Sequence, residues 1–246
     1  MKRFNWQIGL GLILVILSII VYLIHYMIFR DSHHIFIYLI GDIAFVFIEV
    51  LLVTLVIHNL LNVKEKRKRL EKLNMLIGTF FSEVGTKLLM YLSDSDPQLD
   101  KIRDNLIVSN EWSDHDFTRI DKILKNYEYK VEIKQVDLVH LKGFLKEKRD
   151  FLLRLLENPN LLEHETFTEL LRAVFHLTEE LENRRKIRRL PDKDYMHLAG
   201  DIERVYVSLV NEWLDYMEYL KNNYPFLFSL AMRTNPFDES ASPIVK

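Results

Sequence analysis

Two carboxylates stand inside an apolar stretch: Asp42 and Glu49, seven residues apart in the run 35–61. That spacing is about two helical turns, so both acids share a helix face with Phe45, Val46, Leu52, Val53 and Val56. An ionisable group at membrane depth is costly, and it marks an ion path, a proton relay or a polar contact between helices. His25, in the preceding apolar run, falls at the depth of Asp42 when both are counted from the connector between the runs. Two arrangements follow. In one, His25 pairs with Asp42, and Glu49 is protonated or bonded to Ser18 or to a neighbouring subunit. In the other, a ring of carboxylates lines a cation or proton path in an oligomer.

Elsewhere the residues with ligand chemistry are scattered over helical segments. Asp137 with His140 and Asp194 with His197 have the acid-x-x-His spacing of bundle metal centres, and His164, Glu165, Glu169 and His176 share a further helix. Asp137 and Asp194 fall at or near helix starts, where capping accounts for them. His176 sits on an apolar face and reads as a core histidine. No metal and no cofactor is expected on this reading. The sequence has no GxGxxG or GxxxxGK[ST] loop, no GxSxG elbow and no HExxH. With no cysteine, thiolate chemistry, disulfides and Cys-based zinc sites are excluded. The arginine-to-histidine spacing of all-helical nucleases is missed as well. The expectation is a non-enzymatic protein; the alternative is a membrane-tethered enzyme centred on His164, Glu169, His176 and His197.

Two basic runs complete the set. Lys64, Lys66, Arg67, Lys68 and Arg69 follow the second apolar run directly. Arg184, Arg185, Lys186, Arg188 and Arg189 read as a solvated helix C-terminus, where cations favour the helix dipole. Anionic lipid headgroups are the next reading of this second run, with a cytoplasmic protein as the other partner considered. Nucleic acid is disfavoured, because no aromatic residue interleaves the run and the domain around it is acidic.

The elements that would position these residues divide the chain. The first 69 residues hold 8 Lys+Arg against 4 Asp+Glu, and the remaining 177 hold 25 against 31, giving the net charge of -2. Residues 6–29 and 35–61 are each long enough for a bilayer core, which takes about 20 apolar residues. The first run is too long for a signal peptide's apolar region of about 7–15 residues, and no small-x-small cleavage site follows it. The connector of Arg30, Asp31, Ser32, His33 and His34 can only turn the chain, so the expected element is an antiparallel transmembrane hairpin over 1–63. Lys2, Arg3 and the 64–69 run outweigh Arg30 alone, which places both termini in the cytoplasm and makes the protein a multi-pass component of the plasma (inner) membrane. A lone hairpin hides Asp42 and Glu49 poorly, so a homo-oligomer in the lipid bilayer is expected.

Beyond the hairpin the fold class is all-α. The second span continues as an amphipathic stalk helix over 64–93, with Gly78 and Gly85 allowing close helix approach. A cytoplasmic helical bundle occupies 94–233. Its helices open at Pro97, at the Ser113-Asp114-His115-Asp116 cap, at Asp137, at Asn158-Pro159 and at Pro191-Asp192. Residues 127–133 alternate but are too short and solitary for a sheet, and 234–246 reads as a tail.

Gly41-Asp42 through Leu61, Leu73-Asn74-Met75, Phe80-Phe81-Ser82-Glu83-Val84-Gly85-Thr86, and the end from Tyr224-Pro225-Phe226 to Asn235-Pro236-Phe237 resemble a family of uncharacterised prokaryotic two-span membrane proteins. The resemblance implies a bacterial or archaeal plasma membrane and carries no active residues.

Overall fold

The structure is a computed structural model that describes residues 6–244, so Lys2 and Arg3 lie outside the described residues. Its α-helices are α1 (Trp6–Phe29), α2 (Ser32–Phe80), α3 (Thr86–Ser93), α4 (Asp114–Lys125), α5 (Leu138–Leu156), α6 (Glu165–Asn183), α7 (Asp192–Asn223) and α8 (Pro225–Arg233). No strand occurs among the described residues, and the alternating stretch 127–132 is an irregular loop. The chain divides into two units, Met1–Lys66 and Arg67–Lys246.

In the first unit α1 stops at a tight turn. Arg30 takes a left-handed conformation (φ 48°), which a non-glycine residue adopts only at a cost, and its N–H closes back on the Tyr26 carbonyl at 2.8 Å. Asp31 then caps α2. Its Oδ1 accepts from the His33 and His34 backbone amides at 2.9 and 3.2 Å, and these bonds hold the carboxyl below its usual range. The second apolar helix therefore starts three residues earlier than the expected 35, at Ser32. Both helices are long and apolar enough to cross a membrane. Among the described residues from Trp6 to Lys66 none is buried.

The second unit is a helical bundle. α7 is its central member and packs on α3, α4, α6 and α8, while α6 lies between α5 and α7. From Leu73 onward the segment expected as a stalk belongs to this core. Leu73, Ile77, Phe80, Phe81, Val84, Leu88, Leu89 and Leu92 are all buried, because their helical spacing faces them onto α7 and its neighbours. The helix is not uniform there: Phe81–Gly85 winds as a π-turn between α2 and α3. Gly85 fits this turn because a Cβ would stand 2.7 Å from Phe81 Cδ1 and 2.8 Å from Phe80 Cε1. Of the two glycines it is Gly78 that admits a neighbouring helix, with Tyr216 Oη 2.9 Å from where its Cβ would be.

Capping residues set most boundaries. Ser113 and Asp116 form a reciprocal capping box on α4, and Asp137 accepts from Val139 N and His140 N at the start of α5. Other expectations are corrected. Pro97 lies in a turn, not at a first helical position, and 99–106 forms two short 3-10 turns instead of an α-helix. The reason is Asp96, whose Oδ1 accepts from Gln98 N at 2.9 Å and whose Oδ2 accepts the Tyr127 hydroxyl at 2.7 Å, fixing a bend. The tail is also anchored at its start. Asn235 is buried and donates to the Leu106 carbonyl at 2.8 Å, and Phe237 packs edge-on against Trp213.

Candidate functional site: a histidine and carboxylate cluster between two helices

The apolar faces of α6 and α7 bury Val174, Leu177 and Leu181 against residues such as Leu198, Ile202 and Val205. That packing fixes the rotation of each helix. At one edge of the interface it brings together two pairs, each one turn apart: His176 with Glu180 on α6, and His197 with Asp201 on α7. His197 Nε2 lies 3.3 Å from Asp201 Oδ2 and 3.7 Å from Glu180 Oε2, while His176 Nε2 lies 3.7 Å from Asp201 Oδ2 and 3.9 Å from Glu180 Oε1.

The four groups differ in cover. The Asp201 side chain is 5% exposed, whereas those of His176 and His197 are 47% and 54% exposed. Asp201 Oδ1 accepts from Arg204 Nη1 at 3.1 Å, but Oδ2 is buried with no hydrogen-bond partner. An unsatisfied buried carboxylate oxygen is unfavourable unless something else meets it. His176 and Arg204 also line a surface cleft with Glu169, Arg172, Ala173 and Ser208, so the cluster is open to small solutes.

A clamp holds the edge in place. Arg184 reaches Asp194 with two parallel bonds of 2.9 and 2.7 Å and meets Glu180 Oε2 at 2.5 Å. The guanidinium holds both the Glu180 and Asp194 carboxyls below their usual range and is itself raised, first by the bond to Asp194. Lys142 Nζ closes the end of α6 by donating to the Glu182 and Arg184 carbonyls.

Several expected site residues are placed differently. His176 is exposed beside the cluster, not in the core, because it flanks the buried stripe of α6. His164 caps α6, with Nδ1 accepting from Phe167 N at 3.2 Å, and Glu169 pairs with Arg172 at the surface. His140 hydrogen-bonds Tyr91. The run from 184 to 189 is a turn between α6 and α7, not a helix end. Arg184 points into the clamp, Ile187 is buried, and Arg185, Lys186, Arg188 and Arg189 are exposed.

In the first unit His25 meets the Phe29 and His34 rings, at 4.8 and 6.2 Å between centroids, and not Asp42. Asp42 and Glu49 are both exposed. Lys64, Lys66, Arg67, Lys68 and Arg69 all lie within α2.

Sequence reasoning singled out His176 and His197 but missed Glu180 and Asp201. The available signal was two His-to-acid pairs spaced i, i+4 on adjacent helices. A buried acid was missed too. Glu212 on α7 is 3% exposed, and burial pushes its carboxyl up to about 7, against a hydrogen bond from Thr166 and reinforced by Asp215.

Residues 69–233 match the family described as "Uncharacterized protein MJ1433, C-terminal helical domain", and residues 2–61 match "MJ1433, N-terminal helical domain". Over 237 residues the chain is 48% identical to "Uncharacterized protein MJ1433" of Methanocaldococcus jannaschii, covering 96% of this chain and 95% of that protein. No solved structure matches it. With both helical domains and nearly the whole length matched, the chain belongs to the MJ1433 family.

Proposed function

We propose that the protein is a non-enzymatic integral membrane protein of the plasma (inner) membrane, with α1 and the first part of α2 crossing the bilayer and both termini in the cytoplasm. The single observation that supports this most is the uncovered apolar surface. Side chains such as Val15, Phe47 and Leu51 are 58%, 75% and 58% exposed on helices that are apolar on nearly every side. A helix of that kind needs an apolar surrounding, either a protein core or lipid. Among the described residues from Trp6 to Lys66 none is buried, and lipid fits the lengths of both helices.

In this reading the hairpin self-associates, since Asp42 and Glu49 need polar company within lipid, and their shared face offers a route for cations or protons. The basic run 64–69 faces anionic headgroups on the cytoplasmic side. The bundle from Arg67 is the sensing or binding module.

Extraction of membranes at alkaline pH tests the anchor. The full chain is expected in the pellet, and release with peripheral proteins contradicts the reading. Glu49→Gln tests the acidic face: a smaller oligomer or reduced ion flux in liposomes is expected, and no change in either removes that part.

A further inference from the structure

We propose that His176, Glu180, His197 and Asp201 bind one divalent first-row transition ion of the zinc class. Ligand atoms of Glu180, His197 and Asp201, one from each, lie within 4.8 Å of one another at the α6–α7 edge, and His176 Nε2 stands beside them, 3.7 Å from Asp201 Oδ2 and 3.9 Å from Glu180 Oε1. A tetrahedral zinc with ligands at about 2.0–2.1 Å requires donors about 3.3–3.4 Å apart. Glu180, His197 and Asp201 would supply three ligands, and rotation of the half-exposed His176 side chain would bring in the fourth.

Its composition selects the ion. Two imidazole nitrogens with two carboxylate oxygens suit zinc and its neighbours, whereas magnesium and calcium take oxygen donors. The buried Asp201 Oδ2 is aimed into the cluster without a hydrogen-bond donor, and a cation would satisfy it. Arg204 fixes the other oxygen of Asp201, and Arg184 fixes Glu180, as outer partners orient metal ligands. The half-exposed histidines leave a path from the cleft. Because the ligands come from two helices, a bound ion would staple α6 to α7.

The inference stands apart from the membrane reading and uses the full chain in detergent, stripped with a chelator. Calorimetric titration with Zn2+ is expected to give one ion per chain, with Kd in the micromolar range or tighter. His176→Gln and His197→Gln, at exposed positions that the core does not use, are each expected to weaken binding by at least about 10-fold, and together by at least about 100-fold. Circular dichroism is expected to be unchanged. Zn2+ is expected to raise the Tm of the unaltered chain and not that of the double variant, and Co2+ is expected to give the intense visible bands of a tetrahedral site. Absent Zn2+ binding, unchanged affinity in the double variant, or Mg2+ binding as tight as Zn2+ each overturns the proposal.

Discussion

Arg184 grips Asp194 through two parallel hydrogen bonds, 2.9 and 2.7 Å long, across the turn that joins α6 to α7. The Arg184 side chain is only 15% exposed. It therefore acts as a partly desolvated fork, tying the first turn of α7 to the last turn of α6 through Glu180.

Arg184→Lys keeps the charge but cannot reproduce the fork. We expect a loss of about 2 kcal/mol in chemical denaturation of the segment Arg67–Lys246, which contains the whole buried core. The exposed neighbour provides the control: Arg185→Lys is expected to change stability by less than about 0.5 kcal/mol. Equal effects of the two substitutions would show that the clamp contributes nothing.

Tyr216 gives a second, independent prediction. Its ring stacks on Phe81 with centroids 5.1 Å apart, so its hydroxyl is held over Gly78, 2.9 Å from where a Cβ would be. The Tyr216 ring carbons nearest that point are 3.6 Å away, which is ordinary contact. Gly78→Ala gains helix propensity of about 1 kcal/mol but meets an overpacking cost of about 1–3 kcal/mol. A net loss of about 1 kcal/mol is expected. In the Tyr216→Phe background the same substitution is expected to stabilise, and a double-mutant cycle measures the reversal.

Glu212 makes stability depend on pH. Its folded carboxyl titrates at about 7, against an ordinary value of 4.5. Between those values the folded state binds the extra proton, so this group's contribution is fully present below about pH 4.5 and is lost as pH rises through about 7. The full swing is about 3 kcal/mol. Asp215 and Glu218, both raised by burial, slope the same way, while His164, lowered by burial, slopes oppositely. The difference between the unaltered segment and Glu212→Gln isolates the one group. The variant is expected to be more stable by about 3 kcal/mol at pH 8, with the gap closing by about pH 4.5. A gap independent of pH would contradict this.

Where structure follows from neighbours in sequence, it was legible. Asp137, the Ser113–Asp116 box and Asn158-Pro159 mark element starts because their side chains bond amides two or three residues away. The inward leucines of α5 to α7 follow from spacing alone. What escaped depends on distant partners. Asn235 is ordered by the Leu106 carbonyl, and the bend at Asp96 is set by Tyr127. The Arg184 fork is set by Asp194 beyond the turn, and no charge count distinguishes it from Arg185. The candidate site was half legible for the same reason. His176 and His197 attract notice by type, but Glu180 and Asp201 become ligands only once α6 and α7 are packed side by side.

The membrane crossing carries the rest of the account, and the absence of cysteine makes it directly measurable. Ser32→Cys places one thiol at the start of α2, and Ser240→Cys places one at an exposed site beyond α8. Intact cells are treated with a membrane-impermeant maleimide before and after permeabilisation. The account predicts labelling of the Ser32→Cys chain from outside and of the Ser240→Cys chain only after permeabilisation. Protection of both thiols until permeabilisation, or labelling of the thiol at 240 from outside, would contradict it.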